Sequence, residues 1–180
     1  MKICLFPAFC LISVNLAAQT GQSADTVCWD EGYHLTWTDF KGEPLEFTGL
    51  GAEATCFLFA NFERTTAFSK LIFHVNAVFD RTSSWVNPKA KSESGLVYFR
   101  LMFDLYEVHA RQLRKELAET RFGLDPNPLF RKKYNNAMNT LMNEFNEFRK
   151  ETKMGTDKLA LYSWKSRIAK ELGDLKDYAE

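Results

Sequence analysis

Few side chains in this sequence pair a reactive type with the spacing that chemistry needs. The three histidines, His34, His74 and His109, sit in three separate stretches, so a metal site built from them requires distant segments to converge. Met102 and Met154 add thioether sulfur, and with His109 they have the softness copper(I) prefers, although no spacing among them is diagnostic. Asp104 and Glu107 stand a helical turn apart beside Arg100 and Arg111. That pattern fits a solvated helix face, or pairs with those two arginines, more readily than paired carboxylates in acid–base work. Of the four cysteines, Cys28 and Cys56 lie beyond the apolar N-terminal stretch. They are either a disulfide closing a loop of about 27 residues, worth about 3 kcal/mol, or two separate thiols acting as small hydrophobes. There is no G-x-S-x-G elbow, phosphate-binding glycine loop or dinucleotide fingerprint.

The elements that must position these groups read as strands first and helices after. Tyr33 to Trp37 is a short β-prone run, broken by turn chemistry from Asp39 to Pro44. Ala54 to Phe62 carries large apolar groups on both alternating faces, as in a strand partly covered on each side. In Lys70 to Phe79, Leu71, Phe73, Val75, Ala77 and Phe79 share one face, while Ile72, His74, Asn76 and Val78 share the other. Asp80 to Ser84 is expected to end that strand. From about Gly95 to Phe122, apolar residues recur at spacings of three and four, with Ser92 or Ser94 available as the cap. Gly123, Pro126 and Pro128 supply the stop. A second helix is expected over about 129–153, ended by Gly155, and a third capped by Thr156 with Leu161, Trp164, Ile168, Leu172 and Leu175 on one stripe. Strands followed by three helices predict an α+β fold, a small antiparallel sheet packed against three long helices.

Several of these segments together resemble a known family. Leu35-Thr36-Trp37-Thr38-Asp39-Phe40-Lys41-Gly42, Ser84-Trp85-Val86, Phe103-Asp104-Leu105 and the run Ala110 to Leu117 are similar to bacterial secreted zinc-dependent-protease-like domains of unknown function. That family carries a zincin-type HEQGHFD helix and a third histidine in an ETxHG segment. The resemblance implies a zincin-like fold and places the first His on Tyr98, the general-base Glu on Phe99, the second His on Met102 and the third His on Met154. A zincin needs imidazoles at i and i+4 aimed at one Zn²⁺, with a carboxylate beside them to take the proton of the attacking water. Tyr98-Phe99-Arg100-Leu101-Met102 keeps that spacing and none of that chemistry. The implied result is a degenerate member whose zinc is lost and whose pocket is filled with hydrocarbon and sulfur; no cofactor is expected. Read without the resemblance, Tyr98 and Met102 are core residues of an amphipathic helix, which also excludes zinc hydrolysis.

Composition narrows the remaining classes. Lysine plus arginine equals aspartate plus glutamate at 23 each over 180 residues, so no broad field invites nucleic acid or an anionic membrane. Lys2, the apolar run Ile3 to Val14 and Leu16-Ala17-Ala18 read as a signal peptide over 1–18, too short for a transmembrane anchor. A flexible leader over 19–32 and a single domain over 33–180 follow. The expected protein is exported, periplasmic or extracellular, and non-catalytic: a pseudoprotease kept for binding an extended peptide or an envelope protein. The strand Lys70 to Phe79 is the expected binding edge, with His74 and Asn76 on its more polar face. The alternatives are a hydrolase with an altered metal site, and a structural or assembly component of the envelope anchored by Trp164 or Tyr178.

Overall fold

The sheet is built around its longest strand. A computed structural model describes residues 25–45, 49–66 and 69–179; the signal peptide and residues 19–24 of the leader lie outside the described residues. Three strands, β1 (Thr26–Cys28), β2 (Ala52–Glu63) and β3 (Ile72–Val86), form an antiparallel sheet in the order β1-β3-β2. Three helices follow, α1 (Glu93–Glu119), α2 (Asn127–Glu151) and α3 (Lys158–Asp174). The architecture is α+β, a three-stranded antiparallel sheet packed against three helices.

Alternation along β3 decides which face meets the helices. Val75, Ala77 and Phe79 are fully buried on the helical side, and Phe79 meets Phe103 of α1 at 5.9 Å between ring centroids. Leu58, opposite Ala77 on β2, joins the same layer. Burying one such side chain stabilises the fold by about 1.5–3 kcal/mol, so the alternation fixes the face of the sheet that α1 covers. α1 is the central helix, and Leu105, Val108, Ala110, Leu113 and Leu117 are all at most 1% exposed. Ser92 caps it by accepting from the Gly95 amide, and Glu93 begins its first turn.

Four local expectations are corrected. Thr26–Cys28, within the expected leader, is a strand whose Val27 pairs with Phe79; three residues suffice because β3 presents a ready edge. Tyr33 to Trp37 is not a strand. Asp39 draws the chain into a 3-10 turn over Trp37–Asp39 by accepting from the Thr36 amide and hydroxyl, and Arg100 of α1 holds the Leu35 carbonyl. β3 does not end at Asp80. Between the pairs Glu53–Trp85 and Thr55–Asp80, β3 advances five residues while β2 advances two. The bulge is held by Asp80, which accepts from the Thr82 and Ser83 amides, and by Ser84, which donates to the Asp80 carbonyl and accepts from the Thr55 amide. Turn residues therefore bend the strand without ending it. Lastly, Asp157, not Thr156, caps α3 through the Ala160 amide.

Candidate functional site

The positions that would hold zinc in a zincin do not form a pocket. Tyr98 and Met102 are buried on α1, and Tyr98 stacks on Phe148 of α2 at 4.9 Å with the rings 6° from parallel. Phe148 in turn meets Trp164 of α3 edge-on at 5.3 Å. Burial pushes the Tyr98 phenol up to about 12, so it remains a neutral hydroxyl. Phe99 points to a different neighbour set, the rings of Trp37 and Phe40 at 6.0 and 5.1 Å. Aromatic rings thus pack around both Tyr98 and Phe99.

The segment Glu151 to Gly155 does come to this helix, but not through Met154. Lys153, Met154 and Gly155 have φ of 48°, 53° and 91°, and this left-handed run turns the chain from α2 to α3. A Cβ on Gly155 would lie 2.8 Å from the Tyr98 Cβ, so glycine lets the turn sit directly on the helix. Met154 is 57% exposed. The expectation that Met154 fills the vacated pocket with sulfur is therefore corrected: the left-handed backbone aims it at solvent.

The histidines are separate from one another. His109 is 1% exposed, and its Nε2 lies 2.8 Å from Glu144 Oε2 on α2; Glu144 also pairs with Arg167 of α3. This chain ties the three helices together and leaves His109 no role at Met102. The His109 hydrogen bond, opposed by partial burial and helped by the Arg167 charge, holds the Glu144 carboxyl below its usual range. His34 lies in the loop before the 3-10 turn, lining a small hollow of about 240 Å³ with Arg100, Asp104 and Lys165. His74 and Asn76 sit opposite Asn61 and Phe59 on the sheet face away from α1. Among the described residues, no group of three or more His, Cys, Asp or Glu could hold a metal ion.

The cysteines and the acidic residues of α1 are also placed by the sheet. Cys28 pairs with Val78 and Cys56 with Phe79, on strands flanking β3. Two interstrand spacings, about 9–10 Å, separate them, and adjacent β3 partners put them on opposite faces; a disulfide needs Cα atoms closer than about 7 Å. They are two separate thiols, and burial pushes that of Cys56 up. Glu107 is not on a solvated face: it is 2% exposed and accepts from Arg111 Nε and Arg114 Nη1, both at 2.9 Å. Asp104 accepts from Trp29 Nε1 at 2.8 Å, and burial raises its pKa. Spacings of four and seven from Glu107 to Arg111 and Arg114 are the sequence signal for this network; its depth in the protein is not visible in that signal.

What remains as a site is a groove at one end of the sheet. The Trp29 amide donates to the Ala77 carbonyl and the Arg81 amide to Asp25, so odd-numbered β3 residues direct their backbone groups toward β1. Alternation extends that rule to Leu71, Phe73 and Val75. β1 stops short of them, because Asp30 turns the chain away by accepting from the Gly32 amide and, through its carbonyl, from Tyr33. The expected edge is thus corrected by half: β3 is the central strand, covered by β1 around Val78–Asp80, and open only over its first turns of ladder. Beside that opening lies a groove of about 1030 Å³ lined by Leu71, Phe73, Leu117, Phe122 and Leu124, with Arg114 at one side. Arg114 Nε donates to the Val75 carbonyl at 2.8 Å and Nη1 to the Tyr178 carbonyl, closing the groove at the β1 end. His74 and Asn76 do not reach it, since even-numbered residues pair their backbone with β2 and place their side chains on the outer face. No family model, curated protein or solved structure matches this chain.

Proposed function

We propose that this chain is a zincin-like domain without metal chemistry, which binds an extended peptide by adding it to the open edge of β3. The observation that carries the reading is the coincidence, at Leu71 and Phe73, of an apolar groove with an edge of β3 that no strand pairs among the described residues. Main-chain hydrogen bonds to Phe73 give such a peptide its affinity, and alternate side chains enter the groove between the sheet and the end of α1. This addition needs no metal, so it is compatible with Tyr98, Phe99 and Met102 being buried in aromatic packing. The zincin-like reading is supported by the placement of α1 beneath the sheet and by the contact of Gly155 with Tyr98. With the export signal read from the sequence, the peptide belongs to the cell envelope or its surroundings.

An NMR titration tests this directly. An acetylated and amidated pentapeptide of alternating valine and threonine is expected to shift the backbone amides of Leu71, Phe73 and Val75, and to leave those along the outer edge of β2 in place. Shifts confined to β2, or none at all, would overturn the reading. Elemental mass spectrometry after equilibration with Zn²⁺ is expected to find well under one ion per chain; one tightly held ion would remove the metal-free part of the proposal.

A further inference from the structure

The groove beside β3 is lopsided in charge. Its described lining includes Arg64, Lys70 and Arg114 and no aspartate or glutamate. Arg114 is already matched by Glu107. Arg64 and Lys70 are not: neither makes an ion pair among the described residues. Arg64 stands just past the end of β2, and its Nη1 donates to the carbonyls of Gly123 and Leu124 at 3.2 and 3.0 Å. Those two bonds fix the guanidinium against the loop between α1 and α2, while its Nε is buried with no acceptor among the described residues. A buried N–H left unpaired costs about 1–3 kcal/mol, and an arginine presents two parallel N–H groups to a carboxylate when one is offered. Lys70, exposed at the entry to β3, adds a second cation beside an apolar floor.

We propose that the segment bound here is acidic: an aspartate or glutamate side chain of the extended peptide sits against Arg64 and Lys70 at the end of the groove far from β1. This rests on the peptide-addition reading and adds the chemistry of the occupant. The strand edge supplies affinity without regard to sequence; the two cations select the segment.

The valine–threonine pentapeptide and a version with its last threonine replaced by glutamate, both amidated so that no terminal carboxylate competes, separate the two levels. The acidic peptide is expected to bind about tenfold more tightly, the size of one charge-assisted hydrogen bond, with the advantage shrinking as salt is raised. Lys70→Glu is expected to abolish or reverse that preference, and Arg64→Gln to reduce it. Because Arg64 also clamps the Gly123 loop, Lys70→Glu, a change at an exposed position, is the decisive variant. Equal binding of the two peptides, with shifts at Leu71 to Val75, overturns the acidic preference and leaves peptide addition standing. A preference unchanged in Lys70→Glu and Arg64→Gln overturns the assignment of these residues. No shift at Leu71 to Val75 with either peptide overturns both readings.

Discussion

Glu107 is a buried carboxylate of α1 that two arginines share. Arg111 binds its Oε1 and also reaches the Leu172 carbonyl, and the Arg111 guanidinium lies 5.1 Å from the Trp29 ring centre. Arg114 binds the same carboxylate and spans to Val75 and Tyr178. Replacing both charges by hydrocarbon is often tolerated, but removing one leaves the other buried without its counter-charge. Glu107→Ala is therefore expected to cost about 3–5 kcal/mol, measured as the shift in urea denaturation, while Glu107→Gln costs less because it keeps an acceptor. A loss under about 1 kcal/mol would mean that water reaches Arg111 and relieves it. Trp164 shows the same dependence on surroundings. Expected as an exposed anchor, it is 3% exposed and donates to Glu151; the large apolar groups exposed on α3 are Leu159 and Tyr162.

At the level of elements, the turn between α2 and α3 is constrained in both backbone and space. Gly155 combines a φ of 91° with a Cβ position 2.8 Å from Tyr98. An alanine there meets a rigid part of a side chain on the central helix and adopts a backbone conformation that L residues avoid. Gly155→Ala is expected to destabilise the fold by about 1–3 kcal/mol and to perturb the Tyr98–Phe148 stack, read as a change in the aromatic near-ultraviolet signal. Gly123→Ala makes the contrasting control, since an added Cβ there meets nothing within 4 Å. The short β1 belongs at this scale as well. Had the chain continued along β3 past Trp29, the groove at Phe73 would be closed by the protein itself; the Asp30 turn keeps it open.

Across the whole molecule, stability follows pH through carboxylates that hold the layers together. Glu144, bonded to His109 and Arg167, titrates below its usual range. Asp39 does too: burial pushes it up, but hydrogen bonds from Tyr33 and Thr36 and the Arg81 charge outweigh that. A carboxyl depressed in the folded state contributes stability that is fully present above its unfolded value, about 4, and is lost as pH falls through the folded value. Asp104 has the opposite sign, since burial raises it; its share of stability declines as pH climbs above about 4. The urea midpoint is expected to drop between pH 5 and pH 3, with Glu144→Gln costing about 1–3 kcal/mol at neutral pH and flattening that drop. A midpoint that does not change between those pH values in the unmodified protein would contradict this assignment.

Residue order alone determined much of this protein. The alternation Leu71 to Phe79 and the threes and fours of α1 fix the element types and their buried faces, because burial of apolar area acts through periodicities a sequence displays openly; the stop expected after Phe122 is corrected, since α1 ends at Glu119 with Thr120 as its extended cap, before Gly123 is reached. Residue order also determined that the i, i+4 pair Tyr98 and Met102 is an apolar one. Tertiary structure decided what depends on distance and competition. Cys28 and Cys56 are kept apart because β3 lies between them, which pair spacing along the chain does not reveal. Asp80 to Ser84 read as a strand end, yet their side chains satisfy the backbone of a bulge inside a longer strand. Met154, which the resemblance placed at the third ligand position of an emptied pocket, is directed outward by a left-handed turn. His74 and Asn76 lie on the strand expected to bind, but the register gives their backbone to β2. Among the described residues, β3 is left without a strand beside Leu71 and Phe73 because β1 stops at Cys28 and the chain turns at Asp30, a matter of how far two strands run beside each other in space.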